Sequence, residues 1–156
     1  MTYIELHSHS YFSLLDGVPS PEELVKQASK YEMPAIALTD HNGLYGLPRL
    51  WQASQKEGIK AIVGCEITLE NQYNHITLLA ENEIGYSNLC RLITLSHPNN
   101  KGDKIALKLK YLTEHSKGLI ALSGCKKSSI VRSLSNRNYH TASHTALKYS
   151  EIFEKN

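Results

Sequence analysis

The chain has no apolar run approaching the roughly 18 residues that a membrane-spanning helix requires, and no membrane partner is expected of it. Its cysteines are few: Cys65, Cys90 and Cys125 are odd in number and widely spaced. That pattern supplies no disulfide framework and suits reduced cytosolic thiols. Met1–Glu5 lacks a basic region followed by an apolar run, so no secretory signal is expected and a soluble, cytoplasmic protein is. Net charge is nearly absent too. A formal +2 gives no polyelectrolyte signal, and neither argues for nucleic acid nor excludes it. There is no internal repeat, no low-complexity tract and no linker that would divide the chain. What remains is 156 residues of ordinary globular composition, 41% apolar and 21% charged. That is one domain's worth of chain, able to bury about 68–70% of its unfolded surface.

Strands alternate with helices along it. Ser20-Pro21-Glu22-Glu23 reads as a helix start, with Ser20 as N-cap, Pro21 in the first turn and Glu23 closing a capping box. Leu24, Val25 and Ala28 give the apolar stripe, and Pro34 closes the region. The run 35–39 (AIALT) reads as a buried strand ending on Asp40-His41-Asn42-Gly43. A helix over 48–57 stops at Gly58. Strands follow at 61–65, ending on Glu66, and at 75–80, with a hairpin possible across the polar turn 71–74. A helix over 86–96 turns Leu89, Leu92 and Ile93 inward, and 97–104 (HPNNKGDK) is a loop. A short helix near 110–115, a strand at 119–122 and helices over 128–134 and 141–153 complete the order. Such alternation predicts parallel βα units with right-handed crossovers, whose ligand sites lie at the carboxyl ends of the strands.

The stretch 3–17 (YIELHSHSYFSLLDG) opens as a short strand and ends as a polar loop. In extended chain, residues i and i+2 point to one side, roughly 6–7 Å apart. His7 and His9 can therefore present two imidazoles to one point, with Asp16 within loop reach. Two nitrogen donors and a carboxylate suit zinc, manganese or iron rather than calcium or magnesium alone. The other strand ends carry Asp40/His41, Glu66 and Cys125. Four of five strands ending on metal-competent side chains is the strongest pattern present. His41 reads as a ligand that Asp40 orients, or as a bystander to a turn-stabilising aspartate. Glu66 ends an apolar strand, where a lone charge needs a partner; a metal supplies one, and an Arg or Lys would do equally well. Cys125 is a thiolate ligand or a buried thiol, while Cys65 and Cys90 read as core. His75 starts its strand and is the least secure by position. His97 and His115 read as solvated, and His140 with His144 as a surface pair without the glutamate of a zincin helix. Lys126, Lys127 and Arg132 could neutralise a phosphate or simply be a solvated helix start.

Six ordered motifs, within 6–10 (LHSHS), 13–17 (SLLDG), 38–46 (LTDHNGLYG), 64–66 (GCE), 75–80 (HITLLA) and 118–125 (GLIALSGC), resemble the PHP (polymerase and histidinol phosphatase) superfamily. The segment 84–92 (IGYSNLCRL) resembles its polymerase branch, the N-terminal domains of bacterial DNA polymerase III alpha subunits. The resemblance implies a single PHP domain with an α/β fold, a distorted β/α barrel holding a multinuclear metal cluster at its strand ends. It implies His7, His9, Asp16, His41, Glu66, His75 and Cys125 as ligands of two or three divalent ions (zinc, manganese or iron), with Asp16, His41 and Glu66 also catalytic. It implies phosphoester hydrolysis, in some polymerases a 3′–5′ exonuclease acting on DNA, with the remaining polymerase domains or a proofreading subunit as partners. Alternatives are a non-catalytic structural module and a small-molecule phosphatase of the histidinol-phosphate kind, which the segment 84–92 argues against. An amidohydrolase also opens on His-x-His, but would need later histidines and a last aspartate that do not occur here in that order. The family's later Asp-x-His is absent before Asn156. A truncated barrel, without its last strands and prone to association, is therefore expected.

Overall fold

The structure, a computed structural model, describes residues 3–70, 75–98 and 104–153. The polar turn 71–74 and most of the loop 97–104 lie outside the described residues. Contacts divide the chain into two compact units between Cys65 and Glu66, inside one strand.

The first unit is built on α1 (Pro21–Lys30), β1 (Ala35–Leu38), α2 (Leu47–Glu57) and the first part of β2 (Lys60–Thr68). The start of α1 is the expected capping box. Ser20 Oγ accepts from the Glu23 N–H at 3.1 Å, and the Glu23 carboxylate accepts from the Ser20 N–H at 2.7 Å. Both bonds satisfy donors that a helix end otherwise leaves open. The Ser20 N–H, and after it the Ser20 hydroxyl donating at 2.8 Å, hold the Glu23 carboxyl below its usual range. Ser20→Ala should therefore destabilise the fold by about 1 kcal/mol in urea unfolding; no shift in midpoint would mean that the cap is redundant. Val25 and Ala28 enter a core with Ile36, Leu38, Leu50 and Ala53. On the solvent side Arg49 of α2 binds Glu22 of α1 at 2.7 Å, and that guanidinium holds the Glu22 carboxyl low. Gly58 closes α2 at φ +70°, a backbone angle that suits glycine. The chain then returns as β2, parallel to β1, with Ala35 opposite Lys60 and Leu38 opposite Val63.

The N-terminal stretch is not the strand its alternation predicts. It makes one parallel bridge, Glu5 to Ile36. Beyond it the Glu5 carbonyl accepts from the Ala37 N–H and the Ser8 carbonyl from the Thr39 N–H. Two residues of β1 and its extension thus face three of the N-terminal stretch. The added residue breaks the ladder, as a bulge does, and the chain bends at His7.

The second unit takes the rest of β2 and then β3 (His75–Ala80), α3 (Glu83–Ser96), α4 (Leu109–Glu114), β4 (Leu119–Leu122), α5 (Ser129–Ser135) and α6 (Tyr139–Phe153). The strands at 75–80 and 119–122 fall where the apolar runs place them. Helix α3 begins earlier than its apolar residues suggest, because Asn82 caps it by accepting from the Gly85 N–H. Leu89 and Leu92 are buried, while Ile93 is only half-buried. Glu66 lies within β2, two residues before its end, so the apolar run 61–65 understates that strand. The pairing departs from the parallel βα units expected of strands joined through helices: β3 and β4 are antiparallel, with Thr77 opposite Leu122 and Ala80 opposite Leu119. The fold class is mixed α/β. No helix among the described residues is long and apolar enough to cross a membrane.

Candidate metal centre

In the first unit the bend at His7 brings its Nε2 within 3.1 Å of His9 Nε2. The His9 ring stacks on that of His41 at 4.5 Å, and His41 Nε2 meets Asp16 Oδ2 at 3.0 Å. Donor atoms of His9, Asp16 and His41 all lie within 4.8 Å of one another. Asp16 is carried there by the loop 10–17, which folds onto itself: the Ser10 carbonyl accepts from the Ser13 N–H, and the Ser13 carbonyl from the Asp16 and Gly17 N–H groups.

Asp40 does not orient His41 by contact. It is buried, and its side chain runs inward under that loop. Its Oδ1 accepts from the Ser10 N–H and the Ser13 hydroxyl, and its Oδ2 from the Ser10 hydroxyl, each at 2.7 Å. Neighbouring residues of an extended segment point to opposite sides, so Asp40 and His41 diverge. Ser10 and Ser13 are the residues that sequence reasoning missed. The signal for them was available: a buried carboxylate at a strand end demands donors, and two serines stand beside the first histidine pair.

In the second unit Glu66, His75 and Cys125 bring their donor atoms within 4.8 Å of one another. Cys125 Sγ lies 3.3 Å from His75 Nε2, and Glu66 Oε2 lies 3.7 Å from the same nitrogen. Antiparallel pairing explains why a strand-start histidine belongs with strand-end ligands. With β3 reversed, His75 at its beginning stands beside the end of β4, just before Cys125. Gly124 makes that approach possible at φ +82°; a side chain there would come within 2.9 Å of Ser128 Cβ and 3.5 Å of the His75 ring. Glu66 is buried and its carboxylate faces an imidazole.

The remaining candidates stand apart from these groups. Cys65 is buried and donates to the Asp40 carbonyl at 3.3 Å; Cys90 is half-buried on α3 rather than in the core. His97 is half-buried and binds the Ile93 carbonyl at 2.8 Å instead of lying in solvent, and His115 is also half-buried. His140 and His144 are exposed on α6, as their spacing suggested, and Lys126, Lys127 and Arg132 are exposed.

Chemically, both groups fit a divalent transition ion. Two nitrogen ligands of a tetrahedral zinc stand about 3.3 Å apart, given bonds of about 2.0–2.1 Å. The pairs seen here, at 3.0–3.7 Å, match that spacing. The donor sets, imidazole with carboxylate and imidazole with carboxylate and thiolate, suit zinc, iron or manganese more than calcium.

Residues 5–156 match the family described as PHP domain, and the chain belongs to that family. Its relatives point to one branch of it. The chain is 38% identical over 169 residues to the error-prone DNA polymerase of Symbiobacterium thermophilum, covering 98% of this chain and 16% of that protein. It is 38% identical over 141 residues to the DNA polymerase III subunit alpha of Buchnera aphidicola, covering 86% of this chain and 12% of the relative. The chain therefore spans about one seventh of the length of the curated relatives it matches. Among solved structures, it resembles in fold a two-domain protein of Bacteroides vulgatus described as containing a predicted PHP-like metal-dependent phosphoesterase. The TM-score is 0.53 at 21% identity, over 81% of this chain and 36% of that one.

Proposed function

We propose that this PHP domain is a metal-dependent phosphoesterase module of a bacterial DNA polymerase III alpha-type chain, acting on DNA 3′ ends as an exonuclease. The observation that carries the reading is the convergence of seven donor side chains into two groups. One is His7, His9, Asp16 and His41; the other is Glu66, His75 and Cys125. Divalent ions held there would supply a hydroxide nucleophile near neutral pH and neutralise phosphoryl oxygens. The chain's own part is to hold neutral imidazole nitrogens and anionic oxygen and sulfur in place. His7, His9, His41 and His75 donate lone pairs, while Asp16, Glu66 and a deprotonated Cys125 offset cationic charge. Asp16 and His41 are partly open to solvent, at 44% and 30% of the side chain, so a substrate phosphate can reach the first group. The polymerase relatives favour DNA, reached through further polymerase domains, over a small phosphomonoester.

The test is elemental analysis of the purified chain beside a His7→Ala/His9→Ala variant, followed by nucleotide release from a 3′-labelled DNA strand with added manganese. Near-stoichiometric zinc, iron or manganese that falls by half or more in the variant, with manganese-dependent release lost alongside, is the expected result. A folded wild-type chain that takes up no metal would sink the reading. Metal without nucleotide release would leave a structural module in its place.

A further inference from the structure

Ser13 is fully buried and its hydroxyl oxygen has three neighbours. It lies 2.7 Å from Asp40 Oδ1, 3.1 Å from the His41 backbone nitrogen and 3.2 Å from His9 Nδ1. A serine hydroxyl carries one hydrogen and two lone pairs. The hydrogen belongs on the shortest contact, to the carboxylate, where a bond to an anion is strongest; pointed elsewhere, it would leave two oxygens facing each other at 2.7 Å with no proton between them. The His41 N–H occupies one lone pair. The other can only accept, so the group facing it, His9 Nδ1, must carry a hydrogen.

We propose that Ser13, set by Asp40, is a positioning residue that holds neutral His9 as its Nδ1–H tautomer and so frees the Nε2 lone pair for a metal ion. The proposal rests on the metal-site reading above for its purpose, though not for its geometry. The tautomer of a ligating imidazole is set by the bond its other nitrogen makes, and that partner is commonly a carboxylate or a carbonyl. Here the carboxylate acts through a hydroxyl. One serine oxygen thereby ties two candidate ligands, the His9 ring and the His41 backbone, to one buried anion. It also leaves His7 Nε2 as the donor across its 3.1 Å contact with His9 Nε2 in the metal-free chain.

The tautomer can be read without metal or activity. The 156-residue chain, ¹⁵N-labelled at histidine and stripped of metal, is examined by two-bond ¹H–¹⁵N correlation at a pH that keeps imidazoles neutral, with His9→Gln identifying the His9 signals. The expected result is a protonated Nδ1 and an unprotonated Nε2 on His9. In Ser13→Ala that pattern is lost, and manganese(II) binds roughly 10–100-fold more weakly by calorimetry. A wild-type His9 protonated at Nε2 overturns the proposal, whatever the variant does. So does a Ser13→Ala chain that keeps the Nδ1–H pattern. An Nδ1–H pattern in a wild-type chain that binds no manganese supports the device and defeats the metal reading, so the two failures are distinguishable.

Discussion

Replacing Asp40 with alanine is expected to lower the stability of the chain by roughly 3–5 kcal/mol, because three buried donors lose the one carboxylate that accepts from them. The carboxylate is 2% exposed and accepts three hydrogen bonds at 2.7 Å. Alanine leaves the Ser10 N–H and the Ser10 and Ser13 hydroxyls facing a void, and each buried donor left unpaired costs about 1–3 kcal/mol. The sum stays below three full penalties because the hydroxyls can rotate toward other acceptors. Against a total of about 5–15 kcal/mol the loss is large, and thermal melting should fall by roughly 10 °C or more. Asp40→Asn separates hydrogen bonding from charge. Its amide oxygen keeps an acceptor for the Ser10 N–H and the Ser13 hydroxyl, while its NH₂ faces a Ser10 hydroxyl that can turn to accept. The asparagine variant should therefore lose well under half as much. Equal melting of Asp40→Ala and the wild type would show that the serines find their bonds elsewhere, and the loop would not depend on the strand end.

That network also shows what could and could not be read from residues alone. Local signals carried: the Ser20–Glu23 capping box, the Gly58 stop and the apolar runs of β1, β3 and β4 lie where their chemistry places them. Each depends on residues within four or five positions. The candidate ligands were legible for the same reason, as polar side chains interrupting apolar runs. What escaped depends on partners distant in sequence. Nothing in 75–80 says whether that strand runs parallel or antiparallel to its neighbour. Without its reversal, His75 looked misplaced for a site at strand ends. The extra residue that bends the chain at His7 is visible only when the Glu5 and Ser8 carbonyls are matched to Ala37 and Thr39. Asp40 was assigned to its sequence neighbour His41. Its partners are instead thirty and twenty-seven residues away, Ser10 and Ser13.

The same loop sets the second large effect. Gly17→Ala should cut manganese affinity at least tenfold and destabilise the chain by about 1–3 kcal/mol, the usual cost of overpacking. A Cβ at this position would fall 1.9 Å from the Ser10 carbonyl oxygen, 2.5 Å from the Ser10 carbonyl carbon and 3.1 Å from the His9 carbonyl carbon. All three are backbone atoms, so no rotamer change relieves the clash; the turn itself must open. Opening it displaces the Ser10 carbonyl that accepts from the Ser13 N–H, and with it the two serines on Asp40 and the ring position of His9. The core of α1, β1 and α2 contains none of these residues, so the variant should remain folded while losing metal. Gly58→Ala is the matching control. Its added methyl meets nothing within 4 Å, and the cost is only that of a left-handed backbone angle at φ +70°, about 1–2 kcal/mol. That control should lose stability with manganese binding intact. If the two variants instead bind manganese alike, the close approach of Gly17 to Ser10 does not shape the site, and the loop reaches its ligand geometry by another route.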